Sequence, residues 1–430
     1  MREKLRENSE ELEAQRRHAA YYLALAHAAE PELNGPRQVL WFGRLEADLS
    51  NFRAALDWCA ASNTQTGLML ATALWQFWLI HGSAGEGRAR LEELLSHAGA
   101  APAELRAWAI RAAAALAHQQ GYPERAEKLI GECQALFRQI GNRAGIAASL
   151  HLLGNVALMQ SDYAVALDNY VEALALYRQE GNLLSQASVL MNMGLIAKDQ
   201  GDYQRSMTLY EESRALHEQL GNRRGIATAL THLSIAAYWM GDYALAASVT
   251  EQALALHREA GNRMDEAYAL DTLGMAKYKQ GDLAAAILLM QECLAIMQEI
   301  GDKSGLAMAL TELGSVVYAT GDLARAAELH RRALQTSVQV GDKRRIAFCL
   351  EGLAAAIAQQ QPVRAATLYG AADHLREVIG TPLPPSEQAG YEACVSHVRL
   401  QLGAAGFDAA YTAGNAMTMD QAVAFAGYTA

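Results

Sequence analysis

Glycine returns every 40 residues through the middle of this chain, at Gly141, Gly181, Gly221, Gly261, Gly301 and Gly341, each followed by Asn or Asp. A fixed period of this size marks a repeat architecture, in which each unit buries its apolar face against its neighbours. A second punctuation falls halfway: Ser161-Asp162-Tyr163, Gly201-Asp202-Tyr203, Gly241-Asp242-Tyr243, Gly281-Asp282-Leu283 and Gly321-Asp322-Leu323. Glycine accepts the left-handed conformation that closes a helix, and the next Asp or Asn can accept from the free N–H groups of the following helix. Each unit therefore reads as two helices. No proline lies between Pro123 and Pro362, so nothing but these turns breaks the helices. The expected fold is all-α, without strands.

Columns of the repeat indicate how the helices pack. The first helix of each unit repeats an apolar residue (Leu153, Met193, Leu233, Leu273, Leu313, Leu353) followed by a small one (Gly154, Gly194, Ser234, Gly274, Gly314, Ala354). The second carries Ala166, Ser206, Ala246, Ala286 and Ala326, then Ala173, Ser213, Ala253, Cys293 and Ala333 seven residues on. Small residues at these positions allow close antiparallel contact.

This constellation of L-G, then D-Y-x-x-A, then a second alanine resembles the tetratricopeptide repeat, lengthened by about one and a half helical turns. The resemblance covers residues 141–360, with weaker units at 67–95 around Gly82 and at 103–141 around Gly121-Tyr122-Pro123. It implies a right-handed α-solenoid superhelix whose first helices line the concave side. The sequence divides into an N-terminal helical region (1–62), degenerate helical pairs (63–140), regular repeats (141–360) and a C-terminal helical cap (361–430). In the first of these, aromatics from Trp41 to Trp58 recur at helical spacing and read as core; the last helix is expected from about Met417 to Ala426.

Both ends carry a second resemblance. The run Leu45-Glu46-Ala47-Asp48-Leu49-Ser50-Asn51-Phe52-Arg53-Ala54-Ala55-Leu56 comes with Ala73-Leu74-Trp75-Gln76-Phe77-Trp78 and Gly85-Glu86-Gly87-Arg88 downstream. It is similar to the stretch C-terminal to the ATPase and winged-helix parts of AfsR-like and LuxR-type signal-transduction ATPases. The tail agrees: Leu368-Tyr369-Gly370-Ala371-Ala372, Leu375-Arg376, Gly380-x-Pro382-Leu383-Pro384-Pro385, Tyr391, Phe407 and Gly414-x-x-Met417. The resemblance implies a repeat superhelix that senses an inducer or partner and restrains a nucleotide switch. No G-x-x-x-x-G-K-[ST] is present to cradle a nucleotide, so ATPase and DNA-binding domains are expected elsewhere in a parent protein.

Composition narrows the function further. Lys and Arg number 36 against 47 Asp and Glu, a net charge of −11, which provides no cationic field for nucleic acid. The apolar run from Leu68 to Ile80 is too short to span a membrane. The charged start, Met1 to Glu7, lacks the apolar core of a secretory signal, and the expected location is the cytoplasm. Five scattered cysteines without a C-x-x-C pair suit buried thiols. Neither a metal-binding His pattern nor a nucleophile turn occurs, so no enzyme activity, cofactor or metal is expected. His217 and His257 share a second-helix column with Tyr177, Met297 and Ser337, which marks a structural position and no ligand set.

The register also nominates a groove. His151 and Asn155 form an i, i+4 pair on the expected concave face; in equivalent columns stand Lys198, Thr231, Tyr238, Tyr268, Asp271, Tyr278 and Tyr318, with Trp239 beside Tyr238. Aromatics around polar groups suit a protein segment, a peptide or a small amphipathic ligand. For the tyrosines, ligand contact and sealing between repeats both stay open. The Lys and Asn of a chaperone-tail carboxylate clamp are missing from the matching positions of His151/Asn155 and Met191/Leu195. Two functions remain in view: the sensor of a signal-transduction ATPase, or a free-standing scaffold that grips peptide or helical segments.

Overall fold

A computed structural model describes residues 11–34, 37–383 and 385–427; the charged start, Gly35, Pro36, Pro384 and the last three residues lie outside them. The described residues contain helices and no strand. Contacts divide the chain into two compact units, residues 1–226 and 227–430.

Unit 1 begins with α1 (Glu11–Ala29), a short 3-10 turn (Glu30–Asn34), α2 (Gln38–Ala47) and α3 (Leu49–Ser62). The aromatic stripe from Trp41 to Trp58 thus breaks at Asp48 into two helices. Leu45, Phe52 and Leu56 are buried, and Trp41, Phe42 and Trp58 pack against them. Three helices come next, α4 (Thr64–Ala73), α5 (Trp75–Ile80) and α6 (Ala84–Ser96). Regular pairs then run α7 (Ala103–Gln119) with α8 (Pro123–Ile140), α9 (Arg143–Met159) with α10 (Tyr163–Glu180), and α11 (Leu183–Asp199) with α12 (Tyr203–Gln219). Arg224, near the start of α13 (Arg223–Met240), donates to Gln38.

Unit 2 takes in most of α13 and continues through α14 (Tyr243–Glu259), α15 (Arg263–Lys279), α16 (Leu283–Ile300), α17 (Lys303–Ala319), α18 (Leu323–Val340), α19 (Lys343–Ile357) and α20 (Pro362–Ile379). It ends with α21 (Pro385–Asn415), kinked at Gly403, and α22 (Met419–Phe425). The last helix starts at Met419 because Thr418 caps it in a reciprocal bond with Gln421. By length and composition α16 could cross a membrane, at mean hydropathy 1.6. In this fold it is the second helix of a pair, with Ala286, Met290, Cys293 and Met297 buried between its neighbours.

The punctuation works as its chemistry requires. All six of the 40-spaced glycines have φ between 61° and 77°. The next side chain caps the following helix: Asn142 to the Gly145 N–H at 2.8 Å, Asn182 to Ser185 at 3.0 Å, Asn222 to Gly225 at 3.0 Å and Asp342 to Arg345 at 2.9 Å. Each such cap contributes about 1 kcal/mol. Ser161 is the exception among the midway turns, a residue with a Cβ held at φ 61°.

The small columns acquire a more specific meaning. A Cβ on Gly154 would meet the Tyr170 ring at 2.5 Å, and one on Gly194 would meet Tyr210 at 2.5 Å. Each glycine therefore seats a large side chain of the paired helix. Across unit 2 the same seats receive Met290 at Gly274 and His330 at Gly314. The alanine and serine columns of the second helices, from Ala166 to Ala326 and Ala173 to Ala333, are fully buried.

The C-terminal helices close unit 2 by backbone contact. A Cβ on Gly370 would strike the Tyr411 carbonyl oxygen, and one on Gly414 the Thr367 carbonyl oxygen. Tyr391 and Tyr411 both donate to Asp373 Oδ2, at 2.7 and 2.5 Å. Arg376 holds Glu351 through two bonds, Nε to Oε1 at 2.5 Å and Nη2 to Oε2 at 2.8 Å, in a pair only 5% and 9% exposed. Gly370, Arg376, Tyr391 and Gly414 of the tail motif are thus among the residues that weld α20 and α21 to the last repeat.

Candidate ligand-binding faces

In unit 1 the half-buried positions of the first helices carry a connected polar group. Asn155 Oδ1 accepts from the Tyr170 hydroxyl at 2.8 Å and from Asn192 Nδ2 at 2.9 Å, and Asn192 lies 3.4 Å from His151 Nε2. The His151 ring meets Tyr170 and Tyr177 edge-on, with centroids 5.9 and 6.2 Å apart. Burial, reinforced by nearby Arg111, lowers its imidazole to about 4, so the ring is neutral at ordinary pH. His151 and Asn155 therefore come together as the register suggests. Lys198 does not join them; its ammonium pairs with Asp199 at 2.9 Å.

Two participants escape the sequence reading. Asn192 bridges the helices beside His151. Arg111, on α7, stands one period before His151 in the same column. Its Nε reaches the Ala148 carbonyl only at 3.5 Å. Its guanidinium lies 5.2 Å from the Trp75 ring centroid and 5.9 Å from that of Trp108. Burial pulls this group below its ordinary value, with Tyr177 and Cys133 opposing the shift and no carboxylate contributing. Extending the column back by 40 residues would have found it.

In unit 2 the nominated residues occupy several environments. Thr231 Oγ1 bonds the Ala227 carbonyl at 2.9 Å and lies 3.1 Å from His257 Nε2. Tyr238 packs edge-on against Trp239 and Tyr243, with centroids 5.7 and 5.4 Å apart. Trp239 is 45% exposed and Tyr268 38%. Tyr278 is half-buried with the Lys279 ammonium 5.5 Å over its ring. The Tyr318 hydroxyl reaches Cys394 Sγ of α21 at 3.8 Å, so that tyrosine meets the C-terminal helices.

Asp271 is the chemically unusual member. Its Oδ1 is sealed from solvent and accepts no hydrogen bond. Burial first, then the neighbouring Glu312 carboxylate, pushes its acid up to about 8, against the pull of Arg345. Of the two second-helix histidines, His217 is 7% exposed and fits against Gly225, and His257 is 4% exposed. Both fill packing positions. Among the described residues no three His, Cys, Asp or Glu side chains gather where they could hold a metal ion.

Comparison with known proteins places this architecture. Family models described as tetratricopeptide repeat match residues 104–179, 185–259, 225–299 and 306–340, together more than half of the chain. No curated protein sequence matches significantly. Among solved structures, the apo form of RapI is similar at TM-score 0.59 and 13% identity, covering 84% of this chain and 98% of that one. A signal-transduction ATPase with a tetratricopeptide-repeat sensor, PH0952 from Pyrococcus horikoshii, is similar at TM-score 0.59 and 14% identity. That match covers 78% of this chain and 54% of PH0952. The apo form of the quorum sensor NprR from B. thuringiensis is similar at TM-score 0.53 and 14% identity, covering 83% of this chain and 98% of NprR. At these identities the likeness concerns the fold.

Proposed function

Because the chain belongs to the tetratricopeptide-repeat family, we propose that it is a non-catalytic binding module, the sensor portion of a bacterial signal-transduction ATPase that regulates transcription. Its first helices bind a peptide, a protein segment or a small amphipathic ligand through His151, Asn155, Thr231, Tyr238, Trp239, Tyr268, Asp271 and neighbouring tyrosines. The ATPase and DNA-binding parts belong to the rest of the parent protein, which works in the cytoplasm. Ligand entry shifts the joints between repeats by small amounts that add along the array.

The observation that carries this reading is the first-helix column. Arg111 and Asp271 are held there with their charges or oxygens unmatched. Taking an ion out of water costs several kcal/mol unless a partner compensates. Folding is not served by such groups, whereas a bound ligand is. The resemblance of the Leu45–Leu56 and Leu368–Met417 segments to regulators of this class, together with the fold likeness to PH0952, supports the sensor role.

A pull-down from the native host with mass spectrometry tests the reading. Wild-type chain should retain a partner that His151→Ala, Trp239→Ala and Asp271→Ala lose in part or whole; equal capture by all three would sink it. A second reading, a free-standing scaffold, is favoured by the match along nearly the whole length of RapI. A P-loop motif upstream in the natural reading frame decides for the sensor, and its absence for the scaffold.

A further inference from the structure

The geometry points to a site on the first-helix face of unit 1 that receives a single carboxylate, with Arg111 as its anchor and Asn192 and neutral His151 as polar neighbours. It deepens the binding role proposed above by naming the chemical class that this part of the face accepts.

Arg111 is half-buried, and its hydrogen bond to protein is the long one from Nε to the Ala148 carbonyl. Among the described residues no carboxylate lies within ion-pair distance of it, although unit 1 supplies acids to many other arginines. Arg53 has Glu86, Arg88 and Arg125 share Glu92, and Arg90 has Asp57. Two indoles, Trp75 and Trp108, lie beside the guanidinium. Such cation–π contacts contribute about 0.5–2 kcal/mol each, less than the several kcal/mol that desolvating an unpaired ion costs. The indoles therefore position the fork and dry its surroundings without replacing a counter-ion. The terminal nitrogens remain open to a planar, two-oxygen acceptor, the shape that guanidinium recognises in two parallel bonds.

The charge count selects the anion. His151, the next residue in the column, is neutral, and Lys198 is committed to Asp199. One positive charge thus faces the ligand, which matches a carboxylate and leaves a phosphate dianion half compensated. Trp75 and Trp108 favour a carboxylate carried next to an apolar group, such as the end of a peptide or an acidic side chain in an apolar segment.

The test reads Arg111 directly in the full chain, so a failed pull-down would not decide it. The Nε–Hε resonance of Arg111 is identified as the one missing from Arg111→Lys, and amide spectra of both proteins check folding. Titration with N-acetyl-leucinate at constant ionic strength should shift that resonance saturably. N-acetyl-leucinamide should bind at least tenfold more weakly, as should inorganic phosphate. N-acetyl-glutamate α-amide separates the two carboxylate sources: tighter binding than N-acetyl-leucinate assigns a side-chain acid, weaker binding a chain terminus, and either result supports the site. No shift with either carboxylate, equal shifts with the amide, or tighter binding of phosphate would overturn the proposal. Retention of carboxylate binding by Arg111→Gln, followed through His151, would do the same.

Discussion

Arg111 in unit 1 and Asp271 in unit 2 stand four periods apart in one column of the repeat; one is a cation, the other an acid that burial keeps protonated up to about pH 8. Farther along, the same column holds Glu351, which is also buried but is matched bond for bond by Arg376. A buried charge that the fold uses thus looks like Glu351: bidentate, shielded and compensated. Arg111 and Asp271 lack that compensation. The comparison separates an ion pair that builds the cap from two groups whose presence only a ligand or a switch would justify.

Breaking the compensated pair should have the largest effect. Arg376→Met leaves the Glu351 carboxylate buried without its partner, at a cost of about 3–5 kcal/mol. Hydrogen exchange should then accelerate in α19 to α21 and stay unchanged in α7 to α12. Equal loss in both units would mean that the cap does not act locally.

The glycine seats should separate the units next. Gly154 faces the rigid ring of Tyr170 at 2.5 Å, whereas Gly274 faces the flexible Met290 at 3.0 Å. Gly154→Ala should cost about 2–3 kcal/mol through overpacking. Gly274→Ala should be near neutral, because methionine yields and the helix loses a glycine. Chemical denaturation of the two variants measures the difference, and similar costs would contradict the idea that each glycine is a seat.

The uncompensated charges should behave in the reverse sense. Arg111→Met should stabilise unit 1 by about 1–3 kcal/mol while abolishing carboxylate binding. For Asp271 the sign depends on pH. The folded unit keeps its proton up to about pH 8, against an ordinary value of 3.8. Between these values the folded state holds the extra proton, so stability falls as pH rises. Asp271→Asn should therefore stabilise unit 2 by about 1–3 kcal/mol at pH 8 and change little at pH 4. His151 has the opposite sign: it is neutral in the fold down to about pH 4 against an ordinary 6.5, so unit 1 loses stability as pH falls through that window. His330 in unit 2 is shifted likewise. Acid should thus weaken unit 1, while in unit 2 the Asp271 gain and the His330 loss oppose each other between pH 6.5 and about 4 and alkali up to pH 8 weakens that unit alone; thermal unfolding followed by unit-specific hydrogen exchange checks this.

The smallest effect concerns a turn. Ser161 takes the left-handed conformation that glycine occupies at Gly201, Gly241, Gly281 and Gly321. Ser161→Gly should stabilise unit 1 by up to about 1 kcal/mol, relief of the Cβ clash outweighing the added freedom of the unfolded chain. An unchanged midpoint would show that the serine turn is unstrained.

Helix positions, caps and pairing were legible because they depend on short-range rules: a positive φ wants glycine, a free N–H wants an Asp or Asn oxygen, and 40-residue spacing repeats both. The face that carries His151, Asn155 and Asp271 came from the same register. Asn192 was missed because it stands one residue past the column position Met191, and Arg111 with its two indoles because the turn at Gly121-Tyr122-Pro123 departs from the pattern that marked the regular columns. The column was therefore not carried upstream.

Period, punctuation and small-residue columns are properties of the linear chain, and they were sufficient for an all-helical array of hairpins. Which charges are matched is a different matter. Arg111 and Arg376 are the same residue type on similar helices, and nothing in their neighbours along the chain says that one meets Glu351 while the other meets two indoles. Coulomb energy and desolvation depend on what packs within a few ångströms in space, and those distances exist only once the helices have come together.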